Sequence, residues 1–228
     1  NLTVGGGYTI QVTASEASEH SSRQRSRLRS LRKLSLILDL DHTLVHCVAH
    51  DAASTYCNDP LLKGTVRNFL LPMEYANLEK GVGKGESLFF KLFGFNDPHL
   101  CKRHYLKLRP GFRDFISAVS DKYELSIYTA GTRYYALKVA HALCRYLVGA
   151  PDVDVFTPGS LTPLERSAIS LNKKLFGNRI ISRSDTGDLG KDVKSLKRAF
   201  PDGGQMSVMV DDREDVWANA QDNVSRAR

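Results

Sequence analysis

The sequence predicts an α/β domain: a central parallel sheet with flanking helices and an insertion after its first secure strand. Three observations carry this. Leu34-Ser35-Leu36-Ile37-Leu38 is an apolar run closed by Asp39-Leu40-Asp41, and Ser207-Val208-Met209-Val210 is a second one closed by Asp211-Asp212. Between them, apolar residues recur first at strand spacing and then at helix spacing, in the order strand, insertion, strand, helix, strand, helix. That order is Rossmann-like.

Residues 1–20 are rich in Gly, Ser and Thr with weak alternation from Tyr8 to Val12, which leaves an edge hairpin and a bare tail both open. Residues 1–33 are read as an N-terminal extension with a basic segment, and 34–228 as the main domain. The first secure strand covers 34–40. The interval 44–104 is polar and punctuated by glycine, with apolar patches at Phe69-Leu70-Leu71 and from Leu88 to Phe93. A loop of that length without structure of its own is uncommon, so hairpins or an inserted substructure beside the site are expected. Tyr105–Leu108 is strand-like, and Arg109-Pro110-Gly111 turns the chain. Phe112, Phe115, Ile116 and Val119 predict a helix ending near Asp121.

Leu125–Tyr128 is the next strand, with Thr129 at its carboxyl end. Tyr135, Val139, Ala142, Leu143 and Tyr146 mark a helix starting at Thr132 or Arg133. Arg179–Ile181 reads as a short strand, and Val193, Leu196 and Lys197 have helical spacing. Pro201–Gly204 breaks the chain before the strand that delivers Asp211. The final stretch is read as a loop and helix, with Val216 and Trp217 packed back on the domain.

With 228 residues, 42% of them hydrophobic and 25% charged, the chain can bury a real core. No run approaches the roughly 18 apolar residues that span a bilayer, and the first residues lack a signal-peptide pattern, so no membrane association is expected. Lys and Arg number 32 against 25 Asp and Glu, a formal charge of +7. The excess gathers at Arg23, Arg25, Arg27, Arg29, Arg32 and Lys33. Such a cluster serves as a solvated entry to the domain, a nuclear-targeting signal, or a surface for an acidic chain or nucleic acid. No zinc-finger spacing or aromatic ladder lies near it, which leaves direct nucleic-acid binding open. The four cysteines form no paired CxxC motif, and reduced thiols are expected. His46, Cys47, His50, Cys57 and the histidines and cysteine of 99–104 are spaced too irregularly to predict a structural zinc.

If the two acid-terminated runs are neighbouring parallel strands, four carboxylates converge at the carboxyl edge of one sheet, where open α/β folds keep their active sites. This suits magnesium-assisted phosphoryl transfer. Asp39 at the strand tip would attack phosphorus, and Asp41, swung above the substrate by a turn, would carry the proton. One side chain cannot be both covalent link and base. Thr43 fixes the turn with its hydroxyl or touches substrate, the first being preferred. Thr129, followed by Ala130-Gly131-Thr132, offers a hydroxyl and backbone N–H groups to phosphate oxygens. Lys194 would neutralise transition-state charge, with Lys191 as a competitor. Asp211 is the strongest metal-ligand candidate of the second pair, and Asp212 binds through water or orients its neighbours. The competing readings are an ordinary acidic turn at 39–41 and a helix-start charge cluster at 211–215.

Asp39-Leu40-Asp41-His42-Thr43-Leu44-Val45-His46 resembles the signature of the carboxy-terminal-domain phosphatases of the haloacid dehalogenase superfamily, which act on the tail of the largest RNA polymerase II subunit. The likeness extends through 106–111, Tyr128–Ala136, Ser182–Gly187 and Val210–Trp217, and is strongest to the long, transcription-linked branch. It implies that 34–228 is a catalytic domain that removes phosphate from phosphoserine, with Mg2+, through an aspartyl-phosphate. It also implies Asp39 as nucleophile and Asp41 as general acid and base, with Thr129, Lys194 and Arg183 near the phosphate. The metal would be held by Asp39, Asp211, Asp212 and the backbone carbonyl of Asp41. A nuclear location, the polymerase tail as partner and further transcription-factor partners follow from the same likeness. The branch commonly carries a phosphopeptide-binding module after this domain, for which the residues beyond Trp217 leave no room, so either the sequence is a fragment or the protein lacks the module; 145–178 is also short for the branch's helical insertion. Two alternatives are a small-metabolite phosphatase capped by 44–104 and a catalytically silent phosphopeptide scaffold.

Overall fold

The computed structural model describes residues 2–4, 8–10, 12–49, 66–72, 101–151, 161–186, 193–196, 204, 206–217 and 224–227. The chain divides into two compact units, one of residues 1–44, 111–133 and 175–228, the other of 45–110 and 134–174.

The first unit holds the parallel sheet. Its strands are β3 (Leu34–Leu38), β7 (Tyr123–Tyr128), β8 (Ile180–Ile181), β9 (Ser207–Asp211) and β10 (Val224–Arg226), in the order β10-β9-β3-β7-β8. Every neighbouring pair is parallel. From β3 the chain moves outward through β7 and β8, then returns to place β9 on the other side of β3. The order therefore reverses between β3 and β9, and a crevice at the carboxyl ends of those two strands is where such sheets bind ligands. Both strands carry nearly continuous apolar runs: Leu36, Ile37, Leu38 and Met209 are at most 3% exposed, and Val208 and Val210 are half-buried. Below the strand ends, Ile37, Tyr128, Leu196, Met209, Val216 and Trp217 form one buried cluster. At about 1.5–3 kcal/mol per large apolar side chain, it anchors the floor of the crevice.

Residues 2–4 and 8–10 form an antiparallel hairpin, β1 and β2, which is one of the two forms left open for the amino terminus. Helix α1 (Ala14–Ser30), not foreseen, follows. Thr13 and Glu16 close a capping box at its start: Glu16 N–H donates to Thr13 Oγ1 at 3.2 Å and Thr13 N–H to Glu16 Oε2 at 2.8 Å. The basic segment is thus largely helical. Arg27 leaves it to make a two-pronged contact with Glu124 of β7 at 2.6 Å for each prong. Helix α2 (Phe112–Ser120) starts at Gly111, whose φ of 77° suits glycine, and matches the predicted spacing.

The helical spacing read from Val193 starts later than expected: Val193–Ser195 are not helical, Leu196 is, and 197–200 lie outside the described residues; Lys194 N–H donates to Val216 O at 2.7 Å. At the end of the chain the described element is a strand, β10, which adds to the sheet's edge beside β9; residues 218–223, where the expected helix would fall, lie outside the described residues. Val216 and Trp217 are nevertheless buried as foreseen.

In the second unit, β4 (Val45–Ala49), β5 (Val66–Pro72) and β6 (Cys101–Leu108) form an antiparallel sheet ordered β4-β6-β5. The insertion therefore carries structure of its own, and the strand expected at 105–108 starts earlier and joins this sheet. The patch at 69–71 lies in β5, whereas that at 88–93 falls outside the described residues. Helices α3 (Arg133–Val148) and α4 (Pro163–Leu175) complete the unit. Phe69 and Tyr135 pack at 6.3 Å between ring centroids, and the Arg67 guanidinium lies 5.2 Å over the Tyr146 ring, so β5 is tied to α3. Helix α4 was missed despite Thr162-Pro163-Leu164-Glu165, in which Thr162 Oγ1 accepts from Glu165 N at 3.1 Å and Pro163 opens the helix. Among the described residues no helix is long and apolar enough to cross a membrane.

Candidate active site

The acid pairs meet because β3 and β9 are neighbours. Leu38 pairs with Val210, and Asp39 N–H donates to Val210 O at 3.0 Å, so Asp39 leaves the tip of β3 beside Asp211 at the tip of β9. The chain then turns sharply. Leu40 O accepts from Thr43 N at 3.3 Å and from Leu44 N at 2.9 Å, and His42 takes the left-handed φ of 59°. The turn is closed by main chain, Thr43 is buried within it, and Asp41 stands half-buried on its outer arm.

Carboxylate oxygens of Asp39, Asp211 and Asp212 lie within 4.8 Å of one another. The side chain of Asp41 is outside that group. Lys194 enters from the segment that precedes β9, with Nζ 2.5 Å from Asp39 Oδ1 and 2.7 Å from Asp211 Oδ2. Three carboxylates around one ammonium leave an excess of negative charge. Hard oxygen donors in that number could hold a divalent cation, and the ammonium already occupies a cation's place between two of them. Burial pushes the Asp39 carboxyl up to about 6; Lys194 opposes the shift, and the charges of Asp211 and Asp41 add to it.

Asp211 is held by three donors. Its Oδ2 receives Lys194 Nζ and the Trp217 indole Nε1–H at 2.8 Å, and its Oδ1 receives Arg213 N–H at 3.0 Å. Asp212 is half-buried.

One strand away, Thr129 is 1% exposed at the end of β7. Its N–H donates to Ile181 O at 3.0 Å and its Oγ1 accepts from Gly131 N at 3.0 Å, which curls the 129–132 loop over the strand end. Arg183 N–H donates to Gly131 O at 3.0 Å, so the one-turn helix α5 (Arg183–Thr186) is fastened to that loop and Arg183 is exposed at its start. Asp185 supports the same corner. Its Oδ2 accepts from Ser182 N and Oγ, both at 2.8 Å, and pairs with Arg133 at 3.0 Å. Arg133 and Asp185 were not singled out from the sequence, nor were Tyr128 and Trp217 as partners of the acidic site. The Ser-x-x-Asp spacing at 182–185 was the one available signal. Lys191, the competitor of Lys194, lies outside the described residues.

A parallel sheet with acids clustered at its switch point defines a Rossmannoid domain. Residues 34–149 match the NLI interacting factor-like phosphatases, and the chain belongs to that family. It is 33% identical over 209 residues to the RNA polymerase II C-terminal domain phosphatase of Schizosaccharomyces pombe, covering 91% of this chain and 22% of that protein. Its identity to the Saccharomyces cerevisiae protein of the same name is 31% over 224 residues, 95% of this chain and 26% of that one. The structure of fission yeast RNA polymerase II CTD phosphatase Fcp1, in a substituted form bound to beryllium fluoride, superposes with a TM-score of 0.62 at 29% identity, covering 91% of this chain and 44% of the other. The chain thus spans about a quarter of the length of the two yeast relatives.

Proposed function

We propose that this chain is the catalytic domain of a Mg2+-dependent protein-serine phosphatase that acts, through an aspartyl-phosphate, on the phosphorylated heptad-repeat tail of the largest RNA polymerase II subunit. The observation that carries the reading is the meeting of Asp39, Asp211, Asp212 and Lys194 at the carboxyl ends of two adjacent parallel strands, in a chain similar to proteins named for this reaction. A nuclear site of action, with transcription factors as further partners, follows from the same likeness. Residues 1–33 are an extension in this reading, and 34–228 the catalytic domain.

The reaction divides between the two aspartates. Asp39 attacks phosphorus while the departing serine oxygen takes a proton from Asp41. Asp41 then takes a proton from the water that attacks the aspartyl-phosphate, which frees phosphate and restores the Asp39 carboxylate and the protonated Asp41. Thr129 and the N–H groups of its loop hold phosphoryl oxygens, Arg183 approaches from α5, and Lys194 neutralises charge beside the nucleophile. Thr43 keeps the turn under Asp41. Mg2+ bound by Asp39, Asp211, Asp212 and the Asp41 carbonyl would supply further neutralisation of phosphoryl charge.

The test is phosphate release from a tail-derived phosphoserine peptide, a scrambled phosphopeptide and small phosphate esters, each with Mg2+ and with excess chelator. The reading expects metal-dependent turnover and the highest kcat/KM on the tail peptide. Superiority of the small esters would replace it with a metabolite phosphatase, and failure to turn over any of them would leave a binding protein.

A further inference from the structure

Asp211 has about four lone-pair positions on its two oxygens, and three are already occupied. Lys194 and Trp217 take both positions on Oδ2, and Arg213 N–H takes one on Oδ1. Lys194 can swing away on its flexible stem. Trp217 cannot, because it is 1% exposed and wedged in the buried cluster, edge-on to Tyr128 with ring centroids 5.3 Å apart at 83°. The same two rings flank the lysine, whose Nζ lies 5.5 Å from the Trp217 centroid and 6.0 Å from that of Tyr128. The loop is also pinned on both sides of Lys194 Cα: Lys194 N–H to Val216 O at 2.7 Å, and Ser195 N–H to Tyr128 Oη at 3.1 Å.

We propose that Trp217 is a positioning residue of the acidic site: its indole N–H locks the Asp211 carboxylate in the orientation that receives a divalent cation, and its emission reports the cation's arrival. The inference rests on reading Asp39, Asp211 and Asp212 as the cation's ligands. It goes further by assigning the rigid element that orients them, and it supplies a readout free of turnover. Trp217 is the only tryptophan in the chain, so its fluorescence comes from one indole within hydrogen-bonding distance of the site. Any cation that alters the charge on Asp211 alters the field at that ring.

The experiment titrates the 228-residue protein with MgCl2 while recording tryptophan emission, in parallel with calorimetry. The expected result is a saturable, chelator-reversible change whose midpoint agrees with the calorimetric Kd and which disappears in Asp211→Asn. Trp217→Phe keeps a ring but loses the N–H donor, and its calorimetric affinity for Mg2+ should fall about 10- to 100-fold, the usual effect of removing an outer partner of a metal ligand. Calorimetric binding to the parent without any emission change, or a folded Trp217→Phe protein with parental affinity, overturns the proposal. If Trp217→Phe does not fold, the parent and Asp211→Asn titrations still decide. Absence of calorimetric binding to the parent refutes the ligand reading itself and the proposal with it.

Discussion

Lys194 Nζ stands 2.5 Å from Asp39 Oδ1 across 155 positions of sequence. Neither residue has a near neighbour in sequence that could bring them together. The contact exists because β9 returns beside β3 and the segment around Lys194 is fastened to Val216, just past the acids of β9. The ammonium offsets the cost of a buried carboxylate only in part, since the Asp39 carboxyl is still raised to about 6 by burial. A carboxylate kept at an energetic cost in the folded state is common at functional sites.

Asp39→Asn follows directly. The amide retains an oxygen for Lys194 but cannot accept a phosphoryl group, so turnover should be lost. Removing one of three clustered carboxylates relieves repulsion and burial cost, so the metal-free variant should melt above the parent, by about 2–4 °C for each kcal/mol recovered. Phosphate release and thermal unfolding in chelator check both halves. Parental turnover in a folded variant, with deamidation excluded, removes Asp39 as nucleophile.

Asp41→Asn removes no carboxylate from the cluster of Asp39, Asp211 and Asp212, because the Asp41 side chain is outside it, and takes away only its charge beside Asp39. Its effect should fall on proton transfer, a slowing of about 100- to 10,000-fold that shrinks as the leaving group improves. Comparing kcat for aryl phosphates with good and poor leaving groups is the measurement; an equal loss across the series counts against the assignment.

What could be read from the sequence depended on burial. Strands β3 and β9 are buried apolar runs ending in acids, and hydrophobic patterning detects such segments well. Helix α1 escaped because its buried residues are Ser21 and Leu28, which give no apolar stripe, and only its Thr13–Glu16 cap betrays it. Strand β10 is three residues long and has an exposed Arg226, so its place is set by the edge of β9 and not by its own pattern. The acids and Thr129 were accessible as residue types at strand ends, and Lys194, with Lys191 as competitor, as a lysine in the segment before the second acid-terminated strand. The indole contact to Asp211 was not, because hydrophobic spacing marks Trp217 as core without saying where its N–H points.

Arg27→Gln tests the fastening of α1 to β7. Burial alone would raise the Glu124 carboxyl, yet its hydrogen bonds from Arg27 and the charges of Arg179, Arg27 and Lys33 hold it below the usual range. Arg27 is itself 47% exposed, so solvent screens the pair and its loss should cost about 1 kcal/mol. The melting temperature should drop by about 2–4 °C at low ionic strength and by less in about 1 M salt. Equal melting temperatures at low salt would show that the contact does not fasten the helix.

The second unit should destabilise on acidification, and the cause lies between α3 and α4. His141 Nε2 lies 2.6 Å from Glu165 Oε1, and Arg145 Nε lies 3.2 Å from Glu165 Oε2, all three side chains being buried. Burial pulls the His141 pKa below 6.5 and outweighs the attraction of Glu165; Arg145 and Lys138 act in the same direction as burial. For Glu165, burial pushes upward, but the His141 hydrogen bond and the Arg145 charge leave its pKa below 4.5. Both groups therefore bind protons more readily in the unfolded chain. The His141 contribution is complete above pH 6.5 and is lost as pH falls from there towards the depressed folded value, whereas that of Glu165 begins to fail only below 4.5. The limiting slope for one such group is about 1.4 kcal/mol per pH unit. Urea unfolding at intervals between about pH 7.5 and 5 should show stability falling on acidification, and His141→Gln, which keeps a donor for Glu165 and cannot titrate, should flatten that dependence. If the variant's profile runs parallel to the parent's, His141 is not the group that titrates.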